Sequence, residues 1–235
     1  MRDFATRSKG LEIMDDLECS GEVVIQTLRE LETINKFLGG NYVTLNGLEQ
    51  LITVRADRKV SIADLGCGGG DLLRLIKKWS LKHNIPVDLT GIDANPFILK
   101  YALENTASGD DIKYEVLNIF SEPFKQKRFD VVTATLFFHH FSDDDLIQIF
   151  SQLRRQVRVG LVINDIHRHW AAYFLIKWLT RFFSRSGMVK FDAPLSVLRA
   201  FRKKEWKAIL NQSGFTHYTI RWMWAFRWQV VVKTG

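Results

Sequence analysis

The residues best suited to bind a charged ligand follow the first apolar run of the chain. Residues 64–71 read DLGCGGGD, which places a run of glycines between two carboxylates. Glycine lets the backbone pass close to a ligand because it has no Cβ to clash. A dinucleotide-binding fingerprint would need glycine at Asp71, and Asp64 and Asp71 would repel a pyrophosphate at this helix start. The loop therefore favours a ligand that carries positive charge and no phosphate.

A further carboxylate, Asp93, follows the next apolar run in the sequence GIDANP at 91–96. An acidic residue about 20 positions beyond a glycine loop is placed to accept hydrogen bonds from ribose hydroxyls. The glycine loop is weak evidence when taken alone. Together with Asp71, Asp93 and the order of the apolar runs, it predicts a nucleoside-type cofactor.

Histidines that could move a proton follow two later apolar runs. His139 and His140 come after residues 129–135, and His167 comes after residues 157–164. Imidazole is the usual side chain that titrates near neutral pH, so each is a candidate general base. The alternative for each is a packing or orienting role. No third ligand at matching spacing accompanies them, so we predict no metal site. We interpret Asp165 as a supporting carboxylate or a helix cap.

The elements that must position these residues alternate between strand and helix patterns from residue 60 onward. The pattern predicts helices at 71–82, 96–105, 143–152 and 203–212 and strands at 60–65, 87–92, 112–117, 129–135, 157–164, 216–222 and 228–233. Such alternation is typical of a parallel sheet. The last two strands have no helix between them and should pair antiparallel. The predicted fold is α/β: a Rossmann-like, seven-stranded, mostly parallel sheet with an antiparallel last strand and helices on both faces.

Two parts of the chain lie outside this alternation. We predict an N-terminal helical cap over 1–56 and a main domain over 57–235, with a lid insertion at 168–202 after the fifth strand. The aromatic stretch 170–183 is too short and too charged to cross a membrane. It is suited to a membrane surface or to covering a lipophilic substrate, and Trp170, Tyr173 and Phe174 are the predicted substrate contacts.

Composition narrows the class of protein and its partners. Apolar residues make up 46% and charged residues 25% of the chain, as in folded proteins, and two cysteines are too few for a disulfide framework. With no apolar N-terminal core of signal-peptide length, the sequence predicts a cytoplasmic location. The net charge of +7 raises nucleic acid and anionic membranes as partners. We interpret the basic cluster at 199–207 as a solvated helix face and expect no nucleic-acid partner.

The motifs DLGCGGG and GIDANP resemble motifs I and II of the class I S-adenosylmethionine-dependent methyltransferases, and the similarity covers residues 60–164. The resemblance implies S-adenosylmethionine as cofactor, whose ammonium and sulfonium suit the acidic loop. It implies that Gly66, Gly68 and Gly70 line the methionine moiety and that Asp64 holds its ammonium. It implies further that Asp93 binds the ribose.

The resemblance extends to the ends of the later strands. It implies that Ala94 borders the adenine and that Asn118 and Ile119 lie near the adenine amino group. Asparagine departs there from the acidic residue usual in the family, but its side-chain oxygen can still accept from an amine. Thr135 and Leu136 would pass beneath the sulfonium.

The expected reaction is methyl transfer to oxygen or carbon of a small lipophilic acceptor, aromatic, quinone or polyketide-like. The patterns at 12–35 and 164–201 resemble bacterial enzymes related to the quinone-biosynthesis C-methyltransferases. Alternatives are a nucleic-acid methyltransferase, although the Asn/Asp-Pro-Pro-aromatic motif is missing after the fourth strand, and a non-catalytic cofactor-binding protein. Arg7 and Asn35 could contact the cofactor carboxylate, or lie at the surface, and Trp222, Trp224 and Trp228 are predicted to pack.

Overall fold

A computed structural model describes residues 4–52 and 58–234. Seven strands form one sheet in the order β3-β2-β1-β4-β5-β7-β6. Their bounds are β1 Val60–Leu65, β2 Val87–Asp93, β3 Ile112–Val116, β4 Phe129–Thr135, β5 Val157–Ile166, β6 Tyr218–Met223 and β7 Arg227–Lys233.

The strand directions match the predicted topology. Strands β1 to β5 pair in parallel, and β7 runs antiparallel to both β5 and β6. In this register Asp64 pairs with Gly91 on one side and with Thr133 on the other. The carboxyl ends of three strands therefore meet at one edge, and the loops that follow them are neighbours. The predicted seven-stranded, mostly parallel sheet is confirmed.

Nine α-helices accompany the sheet in the described residues. They are α1 Glu22–Phe37, α2 Gly40–Leu51, α3 Asp71–Lys82, α4 Pro96–Glu104, α5 Glu122–Lys125, α6 Asp143–Gln156, α7 Trp170–Phe183, α8 Gly187–Arg199 and α9 Lys203–Gln212. Short 3-10 helices span Ile13–Asp15 and Phe138–His140. A capping box sets the start of α6: the Ser142 side chain accepts from Asp145 N, and the Asp145 side chain accepts from Ser142 N.

Two apolar layers hold the helices against the sheet. On one face, α6 and α9 bury Phe150, Trp206 and Leu210 against β4, β5 and β7. On the other face, α3 and α2 pack on β1, β4 and β5. Each layer is continuous with strands that are almost wholly buried, as expected for a sheet covered on both faces.

Within the predicted N-terminal cap, α2 packs in a sheet layer. Leu48 and Leu51 of α2 are buried in the same cluster as Val162 and Val231 of the sheet. The helix approaches so closely that a Cβ at Gly47 would overlap the Val162 side chain. Helical periodicity within residues 45–52 could not reveal this, because the partners lie more than 100 residues away in the sequence.

Helices α1, α7 and α8 lie together at the carboxyl edge of the sheet. They are held by two small apolar clusters, one around Val24, Leu28 and Met188 and one around Tyr173 and Val197. Both clusters are separate from the two main layers. Among the described residues, no helix is long and apolar enough to span a membrane.

Candidate functional site

A cavity of about 770 Å³ lies at the carboxyl edge of the sheet. Loops after β1, β2, β3 and β4 form one wall, and side chains of α1, α7 and α8 form the other. This volume lies within the range of small-molecule sites, about 300–1,000 Å³. Parallel α/β sheets bind their ligands at this edge. The cavity is therefore the candidate active site.

The predicted carboxylates come together in the wall that the strands provide. Asp64, Asp71 and Asp93 all line the cavity. The pKa of Asp64 is raised to about 8, mainly by burial and further by the charges of Asp71 and Asp93, although Thr133 Oγ1 donates a hydrogen bond to it at 2.7 Å. Burial also raises the pKa of Asp71 and of Asp93. A positively charged ligand would relieve this accumulation of negative charge.

Two of the three glycines predicted to line the methionine moiety lie at the cavity. Gly66 and Gly68 line the cavity and have positive φ angles of 63° and 51°, which favour glycine. Gly70 does not line it. Gly70 is the left-handed residue before α3, and a Cβ there would overlap the Tyr114 hydroxyl. Its absent side chain serves the packing of the loop on β3, which the motif alone could not distinguish from ligand contact.

Asp93 lies where a ribose-binding carboxylate is expected. Its oxygens accept from the backbone N–H groups of Asn95 at 3.0 Å and Gly68 at 3.3 Å. These bonds fix the carboxylate beside the glycine loop. The other residues predicted near the cofactor also line the cavity, namely Ala94, Asn118, Ile119, Thr135 and Leu136.

The Asn118 side chain already has one partner at this wall. Its Oδ1 accepts from Phe120 N at 2.9 Å, which orients the amide at the end of β3. A carbonyl oxygen has a second lone pair, and the amide N–H groups remain as donors. Asn118 can therefore still bind a polar group in the cavity.

His139 has a carboxylate facing each of its ring nitrogens. Nδ1 lies 2.8 Å from Oδ1 of Asp165, and Nε2 lies 3.7 Å from Oε1 of Glu12. Burial opposes ionisation of Asp165, but the charge and hydrogen bond of His139 lower its pKa. A carboxylate only accepts, so in the neutral imidazole Nδ1 carries the hydrogen and Nε2 has the lone pair. Asp165 therefore supports the histidine, in agreement with one of its two sequence interpretations.

Glu12 is a site residue that the sequence did not single out for chemistry. It lines the cavity, and burial raises its pKa to about 7. Its Oε2 accepts from the Ser196 hydroxyl at 2.8 Å, whereas Oε1 is buried without a hydrogen-bond partner among the described residues. The Glu12 carboxyl group can therefore exchange a proton near neutral pH beside His139.

His140 belongs to a second, charged group next to the first. Its Nδ1 lies 2.5 Å from Asp15 Oδ1, and Asp15 also accepts from Arg199. Burial opposes ionisation of Asp15, but these two bonds lower its pKa to about 2. The imidazole rings of His139 and His140 are 4.3 Å apart. Both histidines line the cavity.

Arg199 corrects the interpretation of the basic cluster at 199–207. The side chain is buried, and its guanidinium donates to Asp15, His140 O and, at 3.3 Å, His139 O. Arg199 therefore anchors the short 3-10 helix Phe138–His140, which we call the histidine turn, to α8. It does not form part of a solvated face. The sequence could not indicate this, because the acidic partner is 184 residues away.

The structure supplies a third candidate metal ligand beside the two histidines. Ligand atoms of Glu12, His139 and His140 all lie within 4.8 Å of one another. However, Arg199 Nε is 3.7 Å from Glu12 Oε1, and its fixed positive charge opposes a cation at this position. The arrangement suits proton transfer better than metal binding.

His167 lies outside the cavity, contrary to its prediction as a catalytic residue. Its ring packs against Trp228 with 4.7 Å between centroids, and burial lowers its pKa to about 4. Ile166 lines the cavity instead. Successive residues of a strand point in opposite directions, so His167, one position further, faces away.

Of the two cap residues, only Asn35 reaches the cavity. Asn35 lines it and accepts from Arg227 at 2.7 Å. Arg7 pairs with Asp143 at 2.6 Å and donates to the carbonyl groups of His139 and Phe141. It therefore holds the histidine turn from outside.

The aromatic residues predicted to contact the acceptor lie on the wrong sides of α7. Trp170 and Phe174 are exposed, and Tyr173 is buried against Phe4 and Val197. None of the three lines the cavity. The physical reason is the helical period: these positions point around the outer and rear surfaces of the helix.

A different stripe of α7 forms the apolar wall. Ala172, Leu175, Ile176 and Leu179 line the cavity, and their spacing of three and four residues places them on one helix face. This stripe was present in the sequence. It was obscured because α7 is apolar around most of its circumference, which is unusual for a surface helix.

The tryptophans near the last turn do not all pack. Trp228 is buried, as predicted, but Trp222 and Trp224 are exposed, and Trp224 borders the cavity. Trp222 lies in the edge strand β6, paired with Trp228, and Trp224 follows the last sheet pair, Met223 with Arg227.

Comparisons with known proteins agree with the fold. Residues 62–160 match a family model described as methyltransferase domain. These residues include the glycine loop, Asp93 and the two histidines of the cavity. A comparison with curated protein sequences gave no match.

Solved structures of methyltransferases share the fold. Human N-acetylserotonin methyltransferase in complex with SAM has a TM-score of 0.63 at 14% identity, covering 90% of this chain and 56% of that one. The plantazolicin methyltransferase BpumL in complex with SAH has a TM-score of 0.61 at 21% identity, with 85% and 73% covered. The CMeT domain of citrinin polyketide synthase has a TM-score of 0.62 at 16% identity, with 83% and 52% covered.

This chain therefore spans about half the length of two of these structures. Identities this low relate the folds alone. The family match relates residues 62–160 to the methyltransferase domain, and the solved structures show that the chain has the fold of S-adenosylmethionine-dependent methyltransferases.

Proposed function

We propose that this protein transfers a methyl group from S-adenosylmethionine to oxygen or carbon of a small lipophilic acceptor, with His139 as general base. The observation that carries the proposal is that one cavity joins the acidic glycine loop, the His139 group and the apolar stripe of α7. The first suits a cationic cofactor, the second a proton transfer and the third an uncharged organic acceptor.

The residues of the strand-side wall fit the cofactor. Asp93 is fixed by backbone bonds where it can accept from ribose hydroxyls, and Gly66 and Gly68 leave space beside it. The buried Asp64 carboxyl group gains a favourable partner if an ammonium group binds next to it. When bound, S-adenosylmethionine supplies a methyl group on a sulfonium that is ready for in-line displacement.

The His139 group supplies what an acceptor with an acidic proton requires. Nε2 of His139 accepts the proton of a phenol, enol or activated carbon as that atom becomes nucleophilic. The resulting imidazolium lies between Asp165 and Glu12, which stabilise its charge. Glu12 can then take up the proton, because its pKa of about 7 is close to that of an imidazole. His140 is the second candidate base, with Asp15 as its partner.

The acceptor is proposed to lie against the lid, residues 168–202. The inner stripe of α7 offers methyl and methylene groups, and Val197 of α8 continues this surface. An apolar wall excludes water from the site of displacement, which strengthens its electrostatics. Aromatic, quinone and polyketide-like acceptors match this wall, including those of the quinone C-methyltransferase-like subgroup. The neighbours named for N-acetylserotonin and for a polyketide synthase support small molecules as acceptors.

Transfer of labelled methyl groups tests the proposal directly. The protein is incubated with methyl-tritiated S-adenosylmethionine and a panel of phenols, hydroquinones and β-ketoesters, and label is counted in an organic extract. We expect label in the organic phase, undiminished by EDTA. A parallel titration with S-adenosylhomocysteine measures cofactor binding without turnover.

Two results would contradict the proposal in different ways. Label in added tRNA or DNA, with none in the organic phase, would favour the nucleic-acid alternative. Binding of the cofactor product with no transfer to any acceptor class, including cell-extract lipids, would favour a non-catalytic cofactor-binding protein.

A further inference from the structure

The exposed aromatic side chains are concentrated in three segments, which we call the aromatic face: residues 36–48, 166–191 and 214–234. Each of the ten aromatic side chains exposed by 48% or more belongs to this face. They are Phe37, Tyr42, Trp170, Phe174, Trp178, Phe182, Phe183, Phe191, Trp222 and Trp224. Elsewhere in the described residues, the large exposed apolar side chains are aliphatic. Apolar patches of this kind mark interaction sites on proteins.

The three segments meet around the opening of the cavity. Leu38 of the first, Trp178 of the second and Trp224 of the third all line it. A Cβ at Gly39 would lie 3.9 Å from the Trp224 ring, so the first and third segments are in contact there. The aromatic face is therefore one surface that surrounds the entrance.

The charge of this surface has one sign. None of the three segments contains an aspartate or glutamate, although the whole chain has 26 acidic residues. Exposed cations stand among the aromatic rings, including Lys177 and Arg181 on α7, Arg185 after it, and Lys36 at the end of α1. The carboxylates in contact with these segments come from outside them: Glu30 accepts from Ser184 and from the backbone N–H groups of Arg185 and Ser186, and Glu205 pairs with Arg168.

This combination is complementary to an anionic lipid surface. Tryptophan and phenylalanine partition into the boundary between headgroups and acyl chains, and basic residues attract anionic headgroups. Leu175, which is 58% exposed and also lines the cavity, adds an aliphatic contact at the mouth. A surface that binds nucleic acid would need its cations aligned along a groove. Here the apolar side chains dominate, and the opening leads to an apolar wall.

We propose that the aromatic face docks on an anionic lipid bilayer, so that the mouth of the cavity opens into the membrane boundary. A lipophilic acceptor would then enter from the bilayer and reach α7 without crossing water. The route of the acceptor rests on the proposed function, whereas docking does not.

Tryptophan fluorescence reports docking without any turnover. Four of the seven tryptophans, Trp170, Trp178, Trp222 and Trp224, are exposed on the aromatic face, whereas Trp79, Trp206 and Trp228 are buried. Vesicles containing phosphatidylglycerol should shift the emission to the blue, and brominated lipid should quench it. Vesicles of phosphatidylcholine alone should give a much weaker response, because they lack the anionic headgroups.

Charge reversal tests the electrostatic contribution of the aromatic face to membrane docking. Sedimentation with phosphatidylglycerol vesicles should show about 20-fold weaker partitioning for Lys177→Glu/Arg181→Glu, since each cation near an anionic bilayer contributes roughly fivefold. The matched control is Lys78→Glu/Lys82→Glu, two exposed residues with the same spacing on α3, which should bind like the wild type. The partitioning should also weaken as salt increases.

Removal of aromatic rings tests the apolar contribution of the same face to membrane docking. Phe182→Ser/Phe183→Ser should weaken partitioning at least tenfold, whereas Leu81→Ser/Leu103→Ser, exposed on other surfaces, should not. None of these side chains lines the cavity, so the titration with S-adenosylhomocysteine should remain unchanged and shows that each variant is folded.

Several results would overturn the inference. These are no binding to anionic vesicles at low salt, equal losses in variants and controls, preferential binding to a single-stranded oligonucleotide, or a stable dimer that buries the four exposed tryptophans. Methyl transfer to a detergent-solubilised acceptor separates the two proposals. If the protein transfers methyl groups but does not bind vesicles, only the proposed membrane docking is contradicted. If it binds vesicles but transfers no methyl group, only the proposed methyltransferase activity is contradicted.

Discussion

The two walls of the cavity are built in different ways. The cofactor wall consists of short loops that leave four neighbouring strands, with backbone N–H groups and glycines holding Asp93 in place. The acceptor wall consists of side chains on α1, α7 and α8, which are joined by two small apolar clusters outside the main layers. The first wall is attached to the most buried part of the sheet, and the second is not.

The walls also differ in charge. Three carboxyl groups with raised pKa face the cavity from the cofactor wall, whereas the stripe of α7 is apolar and the surrounding face is cationic. A fixed, charged wall suits one invariant cofactor. An apolar wall on loosely joined helices suits acceptors that differ in shape, because such helices can adjust without disturbing the sheet. Between them lies the His139 group, which belongs to neither wall alone, since Glu12 comes from the N-terminal segment and Asp165 from β5.

The largest effect should follow from removing the base between the walls. His139→Ala should lower kcat by about 10²- to 10⁴-fold, the usual contribution of a general base. The Kd of S-adenosylhomocysteine should stay within about twofold, because the imidazole contacts neither Asp93 nor the glycine loop. Steady-state kinetics and calorimetric titration measure the two quantities.

His167→Ala is the comparison variant for this prediction. It removes the histidine that faces Trp228 outside the cavity, so kcat should change little. An equal loss of kcat in both variants would mean that the histidines stabilise the fold and that His139 is not the base.

The second largest effect should come from replacing Asp93 in the cofactor wall, which should weaken cofactor binding. Asp93→Ala should weaken the binding of S-adenosylhomocysteine by roughly ten- to hundredfold, since a charged hydrogen bond contributes about 1.5–3 kcal/mol. At saturating cofactor, kcat should recover most of its wild-type value. Asp88→Ala changes a partly exposed residue of the same strand that pairs with Lys113; it provides the control and should bind normally. A normal titration for Asp93→Ala would remove the assignment of β2 to the ribose.

The same wall should make cofactor affinity depend on pH. Asp64 is protonated below about pH 8, and an ammonium group favours its ionised form, so binding at lower pH must expel a proton. Affinity should therefore fall as the pH decreases from 8 to 6, at most tenfold for each pH unit. Asp64→Asn should flatten this profile. Calorimetry in buffers of different ionisation enthalpy should detect the released proton, and a profile that is flat in the wild type would contradict the account.

The acceptor wall should show a smaller and selective effect. Leu179→Ala removes part of the inner stripe of α7 and should raise the acceptor KM about fivefold, a typical loss for a few apolar groups in a pocket. Cofactor affinity should not change. Phe174→Ala, on the exposed side of the same helix, should leave both quantities unchanged. If Phe174→Ala raises KM as much as Leu179→Ala does, the assignment of the inner face is wrong.

The difference between the walls also explains what the sequence could predict. The strand order, the glycine loop and Asp93 depend on local patterns, because each feature is encoded within about ten residues of a strand end. Gly70 shows the limit of such a motif: its role in packing on Tyr114 depends on β3, more than 40 residues later.

The His139 group and the acceptor wall depend on residues that are distant in the sequence. Glu12 reaches His139 from the N-terminal segment, and Arg199 returns from α8 to Asp15. The inner face of α7 was hidden because the helix is apolar on its outer side as well, where Trp170 and Phe174 are exposed. Periodicity identifies a buried face only when the opposite face is polar.

The central claim is that the two walls hold a cofactor and an acceptor side by side in one cavity, with His139 at their junction. A crystal structure of the protein with S-adenosylhomocysteine and an acceptor from the labelling assay tests this most directly. We predict the ribose hydroxyls on Asp93, the body of the acceptor against Ala172, Ile176 and Leu179, and its reacting atom within hydrogen-bond reach of His139 Nε2. An acceptor bound outside the cavity, or one whose reacting atom contacts neither His139 nor His140, would contradict the account.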